Sequence, residues 1–138
     1  MLRCLAILCL AGCGFAAQAG PATDLLAQAD KHWAEGRLEP AQKAFEAAVA
    51  AEPAATEPRL RLAGFQLSRQ QMAAAIANYQ RVLGTEPKNA KAWMGMGLAY
   101  LHTGKQDLAL AAFDEAMRYE PRYVEKVKPL VAKLKAPS

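Results

Sequence analysis

The chain is expected to be an all-α protein of three helix pairs closed by one further helix, and three observations predict this. Alanine and leucine dominate its 138 residues while β-branched and aromatic side chains are few. That balance favours helix, because such side chains lose little rotamer freedom in it. The dipeptide Glu-Pro recurs as Glu52-Pro53, Glu86-Pro87 and Glu120-Pro121, 34 residues apart each time. Finally, Trp93, Met96, Gly97, Tyr100 and Leu101 follow the i, i+3, i+4, i+7, i+8 pattern of one buried helix face, and Leu108, Ala109, Ala112, Phe113 and Ala116 line a second.

The first 21 residues stand apart as an export signal and short linker. MLRCLAILCLAGCGFAAQAG carries a single charge, Arg3, then an apolar run and then small residues, the layout of a bacterial export signal. Its strongly apolar part, Cys4 to Leu10, would reach only ~10 Å as a helix against a bilayer core of ~30 Å, too short to span. Two processing sites compete within it. Leu10-Ala11-Gly12-Cys13 resembles a lipoprotein lipobox, with cleavage before Cys13 and lipid on its thiol. Ala17-Gln18-Ala19 fits the A-x-A pattern of ordinary signal peptidase, which would release a soluble protein starting at Gly20. The first outcome gives a membrane-anchored envelope protein, the second a soluble periplasmic one.

From Ala22 the chain divides into units 22–55, 56–89 and 90–123. Twelve residues before each proline stands Ala41, Ala75 or Ala109, and eight before it Phe45, Tyr79 or Phe113. Five before are Ala48, Val82 and Ala116; twenty-four before are Ala29, Ala63 and Gly97; twenty before are Trp33, Leu67 and Leu101. Small and large residues thus hold separate slots, as stacked helices require when a ring from one fills the hole left by a small side chain on another. The spacing predicts helices near 23–35, 39–51, 57–69, 72–84, 90–103 and 107–119. Gln70 occupies the turn slot held elsewhere by Gly36 and Gly104. A left-handed backbone is costly for glutamine, so that turn is expected to differ slightly.

With Trp93, Gly97, Tyr100, Ala109, Phe113, Ala116 and Pro121 in place, the third unit resembles the tetratricopeptide repeat, a 34-residue helix-turn-helix. The first unit departs most, with Leu25, Gln28 and His32 in motif positions. The resemblance implies a right-handed superhelix of three repeats whose concave face is lined by the first helix of each pair. On the family's pattern the groove would hold Leu26, Trp33, Leu60, Leu67, Lys91, Met94, Leu98 and Leu101, a largely apolar row suited to an amphipathic helix or extended segment of a partner. Gly64 and Gly95 would leave room for backbone approach. The carboxylate clamp by which some family members grip acidic chaperone tails would fall on Leu26, Asp30, Arg61, Lys91 and Gly95, where only Lys91 is chemically suited. That disfavours a chaperone co-factor of this kind.

Residues 122–138 carry Val124, Val127, Val131 and Leu134 as an apolar stripe beside Lys126, Lys128, Lys133 and Lys135, and are expected to cap the exposed end of the stack. Pro129 should kink this helix or delay its start. This tail holds five basic residues and one acidic, whereas residues 22–121 hold eleven and twelve, so the formal charge of +4 belongs to the tail. No basic patch interleaved with a stacking platform points to nucleic acid.

All three cysteines lie in the first 13 residues, leaving the body without a thiol for zinc or nucleophilic catalysis. His32 takes a packing tyrosine's place and His102 stands near a helix end, where it can meet the carbonyls. Asp114 and Glu115 are adjacent and so face different sides of a helix, and no nucleophile-base pair or phosphate loop is present. The expectation is therefore no enzyme, cofactor or metal. It is a protein-binding scaffold or assembly factor of the bacterial envelope, with analogy to small pilus- or secretion-assembly lipoproteins. The alternative is a self-associating structural repeat protein, pairing as a homodimer.

Overall fold

The computed structural model describes residues 20–137, and Cys13 with the competing cleavage sites lies outside them. Among these residues the chain forms α1 (Pro21–Ala34), α2 (Leu38–Ala51), α3 (Thr56–Ser68), α4 (Met72–Thr85), α5 (Ala90–His102), α6 (Gln106–Tyr119), a 3-10 turn (Pro121–Tyr123) and α7 (Val124–Lys135), with no strand. Pro21 opens α1 at a position whose N–H would have no intrahelical partner. The Asn89 side chain caps α5 by accepting from the Ala92 N–H at 3.0 Å.

Each pair turns through a left-handed residue: Gly36 at φ 73°, Gln70 at φ 59° and Gly104 at φ 73°. The expectation that Gln70 would turn differently is thus corrected. The reason is the hydrogen bonding around it. The Gln71 N–H donates to Gln66 C=O at 2.9 Å, as Arg37 does to His32 at 2.8 Å and Lys105 to Tyr100 at 2.9 Å. Closing the helix end in this way satisfies carbonyls that would otherwise be orphaned, and packing of the pair imposes it on glutamine. Gln70→Gly should therefore raise stability by about 1 kcal/mol, read as a higher denaturant midpoint. An unchanged midpoint would mean that glutamine bears no strain there.

The recurring glutamates leave helical geometry and so end the second helix of each unit, with φ and ψ of −135° and 73° at Glu52, −123° and 79° at Glu86, and −137° and 93° at Glu120. Proline, having no N–H and disfavouring helix in the residue before it, explains the stop. The carboxylates also reach back to the start of their own unit. Glu52 accepts from the Ala22 N–H at 3.3 Å, and Glu86 from the Thr56 hydroxyl. Glu120 instead takes the Arg122 guanidinium at 2.8 and 2.9 Å, where repeats give way to the cap.

Successive helices pack on one another. The α1 backbone also meets α3, and α3 meets α5, whereas α2, α4 and α6 do not approach each other. The odd-numbered helices consequently lie on the tighter, concave side. Three apolar clusters fill the junctions, each joining one pair to the helix that follows. Ala29, Ala41, Phe45, Leu62 and Phe65 form the first, and Leu60, Ala63, Ala75, Tyr79, Val82, Ala92 and Met96 the second. The third combines Ala109 and Phe113 of α6 with Val127 and Val131 of α7. The small slots are closed: a Cβ on Gly97 would lie 2.6 Å from the Phe113 ring.

The cap behaves as its stripe predicts, with Val127 and Val131 buried and Lys126, Lys128, Lys133 and Lys135 exposed. Pro129 does not delay it, since α7 starts at Val124 and runs through the proline. Pro129 is exposed, so water can reach the carbonyl its missing N–H leaves unpaired.

Candidate functional site

The middle of the concave face holds a recess of about 230 Å³ lined by Trp33, Glu57, Leu60, Arg61, Gly64, Tyr79 and Lys91. It draws on all three units. Trp33 ends α1, where its ring is wedged edge-on against Phe45 at 6.2 Å and Phe65 at 5.5 Å but remains 38% exposed. Glu57, Leu60, Arg61 and Gly64 share one face of α3, at i, i+3, i+4 and i+7. Tyr79 rises from α4, and Lys91 stands in the first turn of α5. A second hollow of about 320 Å³ continues past Glu57, Leu60 and Lys91 to Lys88, Glu120 and Arg122.

Of the eight residues expected in the groove, the recess brings together Trp33, Leu60 and Lys91. Leu26 and Leu67 are half-buried, Leu26 against the first cluster and Leu67 against the second. Met94, Leu98 and Leu101, also half-buried, pack on the third cluster, which α7 helps to form. The room expected beside Gly95 is taken: a Cβ there would meet the Tyr79 ring at 2.2 Å. Gly64 stays open, its nearest neighbour for such an atom being the Tyr79 hydroxyl at 3.9 Å.

Arg61 pairs with Asp30 across α1 and α3 and lies 3.6 Å from Glu57. Its hydrogen bond to Asp30 raises its pKa further, outweighing partial burial. At about two-fifths exposure on both sides, this pair contributes no more than about 1 kcal/mol, and its role is to fix the guanidinium at the rim. Lys91 is exposed and makes no ion pair among the described residues. In the adjoining hollow the Arg122 side chain holds the Glu120 carboxyl down at about 2.

Tyr79 was legible only as a packing aromatic, and the structure makes it part of the wall. Burial pushes its phenol from 10 up to about 12. The folded state therefore keeps this proton where the unfolded chain loses it. The stability this confers is complete below pH 10 and disappears as pH rises towards 12. The urea midpoint should fall across that interval, and by less in Tyr79→Phe. An identical fall in the variant would place the titrating group elsewhere.

His102 Nδ1 lies 2.9 Å from the Leu98 carbonyl oxygen, and His32 is half-buried in α1. Among the described residues no three of the metal-ligating side chains gather, and no helix is long and apolar enough to cross a membrane. A larger hollow of about 510 Å³ lies between α5 and α6, lined by Trp93, Met96, Tyr100 and Leu108 with Asp114, Glu115 and Arg118. Leu108 is 48% exposed there.

Comparison with known proteins agrees with this architecture. The chain is 33% identical over 98 residues to the human PEX5-related protein, a match covering 71% of this chain and 16% of that protein. In solved structures it superimposes on the first TPR of Spaghetti (RPAP3) bound to HSP90 peptide SRMEEVD, with a TM-score of 0.75, 18% identity and coverage of 82% and 89% of the two chains. A second is the Yersinia enterocolitica type III secretion chaperone SycD in complex with a peptide of the translocator YopD, with a TM-score of 0.70, 18% identity and coverage of 81% and 87%. The tetratricopeptide repeat family model matches residues 26–84 and 66–120, and the chain belongs to that family.

Proposed function

We propose that this protein is a binding scaffold whose concave recess receives a segment of a partner protein, and that it serves as an assembly factor at the bacterial envelope. Tetratricopeptide repeats mediate protein–protein interaction, and two of the similar structures hold peptides. The single observation that carries the reading is the recess itself. It sets the exposed edge of Trp33 and the side of Leu60 beside a free lysine, an apolar bed with a few fixed polar groups. At about 230 Å³ it falls below the ~300–1,000 Å³ usual for small-molecule sites and suits side chains of a longer ligand. An acidic chaperone tail is not favoured, because Asp30 and Glu57 add carboxylates and the Tyr79 ring occupies the space at Gly95.

The test pairs two groove variants with a control. Gly64→Leu and Lys91→Glu should leave helicity intact and each reduce partner capture from an envelope extract at least tenfold, while Leu108→Glu should not. Equal loss in the control would move the site to the hollow between α5 and α6. The envelope address rests on the N-terminal residues. Palmitate labelling lost in Cys13→Ser supports the lipid anchor, and label retained in that variant excludes Cys13 as its point of attachment. Stable anchoring needs more than one acyl chain, which a lipoprotein cysteine provides. The exposed Leu108 favours a second reading, self-association through the α6 side, for which sedimentation would show a dimer abolished by Leu108→Glu.

A further inference from the structure

A strongly charged face lies on α7. Lys126 and Lys133 stand on one flank of that helix and Lys128 and Lys135 on the other, the members of each pair two turns apart, and all four are exposed. None of them makes an ion pair among the described residues. Glu125 is the one carboxylate of the helix, and Glu120, just before it, is taken by Arg122. The repeats are built differently: their charges nearly balance, and Arg61 and Arg118 meet acids of their own helices at Glu57 and Glu115. A solvated cap needs polar side chains, but not four of one sign, since like charges gathered on a helix oppose one another.

The chemistry of this face selects its partner. Between the two lysine rows the outer surface carries Pro129 and Ala132, both exposed. No aromatic or long apolar side chain stands there to anchor a protein interface, and the centres of such interfaces are poor in lysine. Low side chains between the rows instead let both rows reach a flat surface at once. A bilayer of anionic lipid is such a surface, with charge spread over a plane and no shape to match. The apolar stripe of α7 does not enter it, because Val127 and Val131 are buried with Ala109 and Phe113 of α6, so the contact is made by charge at the headgroups.

We propose that α7 docks the protein on an anionic membrane surface through these four lysines. α7 packs on α6 and the 3-10 turn, at the opposite end of the stack from α1, and no residue of α7 lines the recess. Docking by the cap therefore leaves the recess open to a ligand while holding it beside the membrane. The inference stands independently of the recess as a binding site and of a lipid on Cys13.

The test is sedimentation of the whole protein, carrying Cys13→Ser, with vesicles of phosphatidylcholine alone or mixed in equal parts with phosphatidylglycerol. Each lysine near an anionic surface strengthens binding about fivefold. Phosphatidylglycerol should therefore raise binding by a factor of at least ~10, and the gain should vanish near ~1 M salt, where charges are screened within about 3 Å. Lys126→Gln with Lys133→Gln, and Lys128→Gln with Lys135→Gln, should each weaken it about 10- to 30-fold at unchanged helicity, while arginine at all four positions keeps it. Lys31→Gln with Lys43→Gln removes the same charge from exposed positions of α1 and α2 and should leave binding as it is. Equal weakening by that control would make net charge, not α7, the cause and overturn the proposal. Equal binding to the two kinds of vesicle overturns it as well. Displacement from the vesicles by polyglutamate at matched charge would make the partner an acidic protein in place of lipid.

Discussion

Phe65→Ala should destabilise the protein by about 3–5 kcal/mol. Phe65 has no exposed surface, and its ring lies 5.2 Å from Phe45 and 5.5 Å from Trp33. It is the side chain through which α3 closes the first pair, so the loss combines transfer of a ring to water with a cavity between two units. Against a typical total of ~5–15 kcal/mol, this is a large share of the stability margin. Equilibrium urea unfolding measures it. A loss below 1 kcal/mol would mean that the first unit folds without this contact, and that Trp33 is held at the recess by something else.

Gly97→Ala should cost about 1–3 kcal/mol, and the sign is what makes the result informative. In an exposed helix interior the same change gains up to about 1 kcal/mol, because glycine loses more backbone freedom on folding. Here the added Cβ would lie 2.6 Å from Phe113, a ring with no exposed surface, so α5 and α6 must separate. Gly95→Ala meets the Tyr79 ring at 2.2 Å and should behave alike, whereas Gly64→Ala, with its nearest atom at 3.9 Å, should gain. Thermal melts of the three variants compare them directly. Stabilisation by Gly97→Ala would contradict the register of the third pair.

That register was readable because the same slots recur: alanine at 41, 75 and 109 stands one helical turn before aromatic residues at 45, 79 and 113, and each of the six repeat helices lies within two residues of its expected span. Phe65 and Leu62 escaped the same reasoning. Their slots hold Lys31 and Gln28 in the first unit and Ala99 and Met96 in the third, so a repeat alignment averages them away. The available signal was local. Apolar residues at 60, 62, 63, 65 and 67 cover more than one stripe of α3, as a helix packed from both sides requires.

The recess was partly legible for a related reason. Trp33, Leu60 and Lys91 stand on first helices, where the family pattern places groove residues, and they converge. Met94, Leu98 and Leu101 follow the same pattern but belong to the last pair, whose neighbour is the cap. Tyr79 read as core because its slot is a core slot in the other units, and only the geometry separates its ring from its hydroxyl. The turn at Gln70 inverted a local preference, since backbone strain at one residue is small beside the packing of a whole pair.

The most direct test of the recess as the partner site is photo-crosslinking in the native cell, with p-benzoylphenylalanine in place of Lys91 in one variant and Ala111 in another. Both positions are exposed, the first at the recess and the second beside Leu108 on the α6 side. An adduct to a partner protein from position 91, absent from position 111 and abolished by Gly64→Leu, is the predicted result. An adduct from position 111 alone would contradict it.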